Sequence, residues 1–398
     1  MKSAIKRAVV VCTAVVSAVA LAACGSTSST GTAGTKPPSV PMATSVGQGE
    51  GQLNLIVWAG YAEDGSDDPS VDWVTPFEKQ TGCQVNAKTA DTSDEMVQLM
   101  RTGQYDGVSA SGDATLRLIY GGDVAPVNTD LVPNYKTISD FLKNQAFNSV
   151  DGQMYGIPHG WGANILLWNT KSVTPAPTSW GAVFDPSSPY AGKITAYDSP
   201  IYIADAALYL EKTQPDLGIK DPYSLTENQL TAAIDLLSKQ KPLISEYWSD
   251  YTKAVQAFES GTTVLGTSWQ VIANIINSDG KANVEGIVPS EGSTGWSDTW
   301  MISSKAAHPN CMYEWMNWIT SPQVNAQVAE WFGEAPSQTL ACNYTSDKNF
   351  CNEYHATDSA YASQIHYWTT PQKQCVDGSG NDCTDYSEWV TKWQEMKG

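Results

Sequence analysis

The chain has little positive charge: 23 Lys and Arg stand against 42 Asp and Glu, a formal net charge of −19 over 398 residues. Nucleic acid and anionic membrane surfaces attract basic proteins, so neither is expected as the main partner. Phe is scarce at seven, whereas Trp numbers 15 and Tyr 18. These two residues join an apolar face to a polar handle, which suits a ligand cleft as well as a core. No Cys-x-x-Cys occurs, and His159, His308, His355 and His366 form no i, i+4 pair, so zinc spacing is missing. The longest apolar run, Ala8 to Leu21, is too short to span a bilayer comfortably. With 16% charged and 41% hydrophobic residues, the composition is globular and not that of an acidic disordered tail. At roughly 150 residues per domain, there is room for two or three domains.

That apolar run follows Lys2, Lys6 and Arg7, as in a signal peptide, and ends in Leu21-Ala22-Ala23-Cys24. The ending resembles the bacterial lipobox, in which the cysteine is lipidated and becomes the first mature residue. Residues 1–23 are therefore expected to be removed, and residues 24–52 to form a lipidated, flexible tether with a reach of roughly 30 Å. Cleavage removes three positive charges and no negative one, and it discards Cys12. Six Cys remain, at 83, 311, 342, 351, 375 and 383, more in keeping with an oxidising than a cytosolic environment. Six allow 15 connectivities. Cys342–Cys351 and Cys375–Cys383 are short local pairs in polar, turn-rich segments, which leaves Cys83–Cys311.

From Leu53 onward strands and helices alternate. Strands are expected at 53–57, 84–87 and 106–110, with helices near 72–80, 96–101 and 114–120 between and after them. Thr92-Ser-Asp-Glu95 reads as a capping box for the second helix. The pattern resumes with a strand at 193–196, helices at 203–211 and 228–239, a strand near 299–303 and a helix at 311–319. Such alternation predicts α/β lobes with a largely parallel sheet, in which ligands bind beyond the carboxyl ends of strands. Those ends carry Trp58 and Tyr61, Ser109-Ala-Ser111-Gly-Asp113, Tyr197-Asp198-Ser199-Pro-Ile-Tyr202, Ser268-Trp269, and Gly295-Trp296-Ser297-Asp298. Aromatic faces with carboxylates nearby suit a cationic amine.

Val57-Trp-Ala-Gly-Tyr61, Phe77-Glu-Lys-Gln-Thr-Gly82, Tyr155-Gly-Ile-Pro-His-Gly-Trp-Gly162, Gly295-Trp-Ser-Asp298 and Ala329-Glu-Trp-Phe-Gly333 make the chain resemble the spermidine/putrescine-type solute-binding proteins of ABC importers. The resemblance implies a type II periplasmic-binding-protein fold, two lobes that close on a ligand about a hinge. Lobe one is expected to comprise 53–160 and 296–345, and lobe two 161–295 and 346–398. The family's amine-cleft aromatics fall on Trp58, Tyr61, Trp269 and Trp296, and one carboxylate falls on Asp298. The family's acidic pair in lobe two falls instead on Ser199 and Tyr202, with Asp198 one place early. A family tyrosine falls on Glu334, and another lies close to Asp113. The expected ligand set is thus Trp58, Tyr61, Trp269 and Trp296 around the ligand, with Asp113, Asp198, Asp298 and Glu334 holding ammonium groups. Ser111 and Tyr202 would add hydrogen bonds.

The resemblance implies a monomeric, extracytoplasmic, lipid-anchored receptor without cofactor, which passes a small cationic solute to membrane permease subunits. A different solute, amino-acid-like or neutral, is the alternative. Some similar chains are also labelled poly-3-hydroxybutyrate synthases, but no Gly-x-Ser-x-Gly or Gly-x-Cys-x-Gly elbow surrounds Ser109, Ser111 or any Cys. A weaker candidate is a calcium loop on Asp377, Ser379, Asn381, Asp385 and Glu388, which has Asp382 where the turn-making Gly would stand.

Overall fold

The computed structural model describes residues 36–376 and 382–398; the signal segment, Cys24, Asp377, Ser379 and Asn381 lie outside the described residues. In the strand Gln52–Val57, Leu53, Leu55, Ile56 and Val57 are all buried, so both faces are covered. It pairs in parallel with Gln84–Thr89 on one side and Gly107–Ala110 on the other. The helices Val74–Thr81, Ser93–Arg101 and Gly112–Gly121 alternate with these strands as the sequence predicts. Thr92 caps the second helix by accepting from the Glu95 N–H at 3.1 Å, but the Glu95 carboxylate reaches past it to the Asp91 N–H.

These strands belong to a seven-stranded sheet. Its order is Ala335–Pro336, Ile157–Ala163, Ser293–Ile302, Gly107–Ala110, Gln52–Val57 and Gln84–Thr89, with Ile365–Tyr367 also beside Ser293–Ile302. The sheet is mixed and not largely parallel: Ser293–Ile302, buried along its whole length, runs antiparallel to both long neighbours. A second, five-stranded sheet has the order Val284–Ile287, Ile165–Asn169, Leu265–Ser268, Ile194–Tyr197 and Ile244–Trp248. The chain therefore leaves the first sheet at Ala163, enters the second at Ile165, and returns before Ser293. Asn164 is the single residue of the outward crossing.

Two segments differ from the sequence reading. Residues 36–51, read as part of a free tether, lie along the first lobe. Val40, Ala43 and Val46 pack on its core, the Ala43 carbonyl accepts from Asn128 Nδ2, and Glu50 accepts from the N–H groups of Asn310 and Cys311 at the start of the helix Pro309–Ile319. The polar composition hid a few apolar contacts and a helix-capping carboxylate. Residues 346–398, assigned whole to the second lobe, are divided. The strand Ile365–Tyr367 joins the first sheet, whereas the helix Tyr386–Lys397 packs on Glu227–Gln240 beside the second.

The bonds Cys83–Cys311, Cys342–Cys351 and Cys375–Cys383 are all formed. Much of the Trp content is core: Trp73, Trp161, Trp180, Trp248, Trp300, Trp315 and Trp389 are fully buried.

Candidate functional site

Strand ends bring the site together. Val57 leads into Trp58, Ala110 into Ser111 at the start of Gly112–Gly121, and Ser268 into Trp269 at the start of the helix Gln270–Asp279. Ser111 occupies a helix-capping position with extended backbone, yet its hydroxyl does not cap. It donates to Asp298 Oδ1 at 2.5 Å. Asp298 stands on the long strand Ser293–Ile302 at a register break: it pairs with Gly160, while Thr299 pairs with Pro158, so His159 is the extra residue of a bulge. Bulges re-aim side chains in this way. Glu334 follows the helix Pro322–Phe332, immediately before a short strand that pairs with Gly160 and Trp161. A Cβ at Gly160 would lie 1.9 Å from the Glu334 carboxyl carbon, so only glycine lets the two approach.

Tyr61 links the two acids: its hydroxyl oxygen is 2.7 Å from Asp298 Oδ2 and 2.6 Å from Glu334 Oε2. One hydroxyl proton cannot serve both carboxylates, so the second short contact requires a proton on one of them. Burial, reinforced by the Asp298 charge, pushes the Glu334 carboxyl well above its usual range. Burial raises Asp298 to about 6 against the donors Ser111 and Tyr61. The neutral-pH arrangement is accordingly a protonated Glu334 donating to Tyr61, which donates to an ionised Asp298. Asp113, also pushed up to about 6 by burial, accepts from Ser93 Oγ and adds to the negative field on Asp298. His159 Nε2 lies 3.4 Å from Glu334 Oε1, but neither atom has a hydrogen-bond partner, and burial lowers the imidazole to about 3. That contact is between neutral groups.

Glu334 also lines a cavity of about 20 Å³, together with Trp161, Trp269, Trp296, Gln270 and Tyr354. Trp269 and Trp296 meet edge to face at 6.3 Å, and Trp296 faces Phe332 at 6.1 Å. Trp269 Nε1 donates to Asn164 Oδ1 at 2.9 Å, and Asn164 Nδ2 donates to Thr294 Oγ1 at 2.7 Å. The crossing residue thus holds an aromatic wall of the second lobe. A space of this size takes one or two waters, so entry of even a short diamine requires the lobes to part.

Of the residues expected from sequence, Tyr61, Ser111, Asp298 and Glu334 form one hydrogen-bonded group, with Asp113 beside it. Trp269 and Trp296 wall the cavity. Trp58 is half-buried at the first strand end, where its N–H donates to Ser109 Oγ. Two expectations are corrected. Asp198 is exposed and pairs with Lys397 Nζ at 3.0 Å and Trp393 Nε1 at 3.2 Å, because the C-terminal helix lies over it. Tyr202 is wholly buried: its hydroxyl accepts from Gln240 Nε2 and Thr267 Oγ1, and its ring stacks on Phe184. In the calcium candidate, Asp385 accepts from the Ser387 and Glu388 N–H groups as a helix cap, and Glu388 pairs with Lys373 at 3.0 Å. Sequence reasoning missed His159, Asn164 and Tyr354. Only His159, inside the Tyr155–Gly162 motif, carried a signal.

The sequence profile of the bacterial extracellular solute-binding proteins matches residues 72–349. The chain belongs to that family. It is therefore an extracytoplasmic binding protein for a small solute. It is 25% identical over 315 residues to the spermidine/putrescine-binding periplasmic protein of Escherichia coli, covering 76% of this chain and 86% of that one. Against the putrescine/agmatine-binding protein of Pseudomonas aeruginosa the identity is 23% over 274 residues, 65% of this chain and 72% of that one. Among solved structures, the spermidine/putrescine ABC transporter substrate-binding protein PotD of Streptococcus pneumoniae superposes with a TM-score of 0.66 at 19% identity, covering 87% and 97% of the two chains. The fold is the two-lobed one of periplasmic binding proteins.

Proposed function

We propose that this receptor captures a small cationic amine, of the putrescine and spermidine kind, by closing its lobes, and delivers it to the permease of an ABC importer. The observation that carries this reading is Glu334. It is a carboxyl 1% exposed, with one oxygen unpartnered, at the wall of an aromatic cavity that no Lys or Arg among the described residues lines. An ammonium group arriving there gains a charge-assisted hydrogen bond and the faces of Trp269 and Trp296. The names of the relatives support the same class of solute.

The protein is read as a receptor and not an enzyme. Ser109 Oγ accepts from the Trp58 N–H and Ser111 donates to Asp298, so neither hydroxyl is bonded to a histidine base. We further read Cys24 as the lipid attachment that keeps a monomer at the outer face of the cell membrane. Calorimetric titration with putrescine, spermidine, amino acids, sugars and 3-hydroxybutyrate tests the ligand class. Amine binding that weakens as salt rises is expected; binding of a neutral or anionic solute with no response to any amine overturns it.

A further inference from the structure

The cavity beside Glu334 has a second acid at its mouth. Among the described residues that line it, the carboxylates are Glu334 and Glu353, and no Lys or Arg joins them. Glu353 ends the short helix Phe350–Glu353, which the bond Cys342–Cys351 ties back to the turn Ala341–Asn343. The loop between is held to the first lobe by Glu330 of the helix Pro322–Phe332, which accepts from Ser346 Oγ at 2.8 Å and from the Asp347 N–H at 2.9 Å. Tyr354, next along the chain, reaches the second lobe: its hydroxyl accepts from Asn274 Nδ2 at 3.1 Å on the helix Gln270–Asp279. A Cβ at Gly333 would lie 3.2 Å from that hydroxyl, so Glu353 and Glu334 stand at opposite ends of one tyrosine side chain. Burial pushes the Tyr354 hydroxyl up to about 12, and against the Asn274 donor the negative fields of Glu353 and Glu334 both add to the rise. Tyr361 and His355, also in the lining, stack flat on each other at 3.8 Å.

We propose that Glu353 is a second ammonium subsite: the inner ammonium of a di- or polyamine meets Glu334, the outer one meets Glu353 at the mouth, and the methylenes between them lie along Tyr354 and Tyr361. This rests on the cationic reading above and deepens it, since two acids in one cavity favour an amine with two charges. Glu334 Oε1 is buried and unpartnered, so it can take the inner donor. Glu353 is exposed, so the outer ammonium keeps part of its water and only the inner one meets the full cost of desolvation. The bond from Asn349 Nδ2 engages Glu353 Oε1 at 2.8 Å, and a carboxylate has further acceptor sites for an ammonium. Aromatic faces beside that oxygen add to the attraction.

The test is calorimetric titration of the full chain with putrescine and n-butylamine, in the parent and in Glu353→Gln. The parent is expected to bind putrescine at least about fivefold tighter than n-butylamine, as one partly screened charge pair allows. Glu353→Gln keeps an oxygen for Asn349. It should lower putrescine affinity about fivefold, leave n-butylamine affinity unchanged and make putrescine binding less sensitive to salt. Putrescine binding no tighter than n-butylamine in the parent overturns the outer subsite and leaves the cationic reading intact. So does a variant that loses nothing, or that loses both amines equally. No response of the parent to either amine overturns both.

Discussion

Replacing Asp298 with Asn should make the ligand-free protein more stable at neutral pH and leave it unchanged in acid. Burial raises this carboxyl from the ordinary 3.8 to about 6. The folded protein thus holds the proton up to about pH 6, whereas the unfolded chain releases it near pH 4. Between those values the folded state binds more protons, so its stability falls as pH rises, by about 3 kcal/mol in total. Above about pH 6 the full cost persists. Asn removes it and keeps both neighbours satisfied, because its oxygen can accept from Ser111 or Tyr61 while its amide donates to the other oxygen. At about 1–2 °C per kcal/mol for a chain of this size, the variant should melt about 3–6 °C higher than the parent at pH 7.5 and at the same temperature near pH 4. Asp113 stays raised to about 6 in the variant, so the pH dependence is reduced and not abolished. Scanning calorimetry from pH 4 to 8 measures it. An equal gain at both pH values, or a loss at pH 7.5, would refute the assignment of a buried, ionised Asp298.

Gly160→Ala places a methyl 1.9 Å from the Glu334 carboxyl carbon. It should destabilise the fold by about 1–3 kcal/mol and abolish amine binding, both read by thermal melts with and without ligand. Asn164→Ala removes the acceptor of Trp269 Nε1 and should weaken binding about tenfold, consistent with a lost buried hydrogen bond; titration calorimetry decides. Asp198→Asn breaks a half-exposed pair with Lys397, should change stability by less than about 1 kcal/mol, and should leave amine affinity alone. A loss beyond about threefold would return Asp198 to the cleft. Cys83–Cys311 closes a sequence separation of 228 residues and Cys342–Cys351 one of 9. In the loop-entropy view, replacing each pair with Ser should cost about 5 and about 2.5 kcal/mol respectively, measured by urea unfolding.

Local chemistry made much of the fold legible. Thr92 and Glu95 announced a helix, and a short apolar run announced the strand Gln52–Val57. Helices also begin where Ser111 and Trp269 follow strands. Pairing between distant strands carried no such mark. Nothing near Ser293–Ile302 says that this strand lies antiparallel between Ile157–Ala163 and Gly107–Ala110, because register depends on partners more than 130 residues away in one case and about 190 in the other. Asn164 was equally silent: a lone Asn becomes informative only once the crossing brings Thr294 and Trp269 to it. The tether reading failed for residues 36–51 because a Gly-, Ser- and Pro-rich composition describes an isolated chain. A few contacts such as Glu50 on the helix Pro309–Ile319 are enough to hold it.

The residues carried over from the family resemblance are brought together in some cases and kept apart in others. Tyr61 and Asp298, each in a short motif at a strand, meet in one hydrogen bond. Asp198 does not join them, since one step along the chain at a strand end turns a side chain from one face to the other, and on its actual face the C-terminal helix supplies Lys397. By the family resemblance Glu334 falls on a tyrosine position, and on that reading an acid replaces a neutral donor. It does so beside Asp298, where a second ionised carboxylate is disfavoured. The proton that Tyr61 cannot supply twice must then be held by the pair until a cation arrives. An amine binding at Glu334 should expel it, and titrations in buffers of different ionisation heat should record a proton released per cation bound.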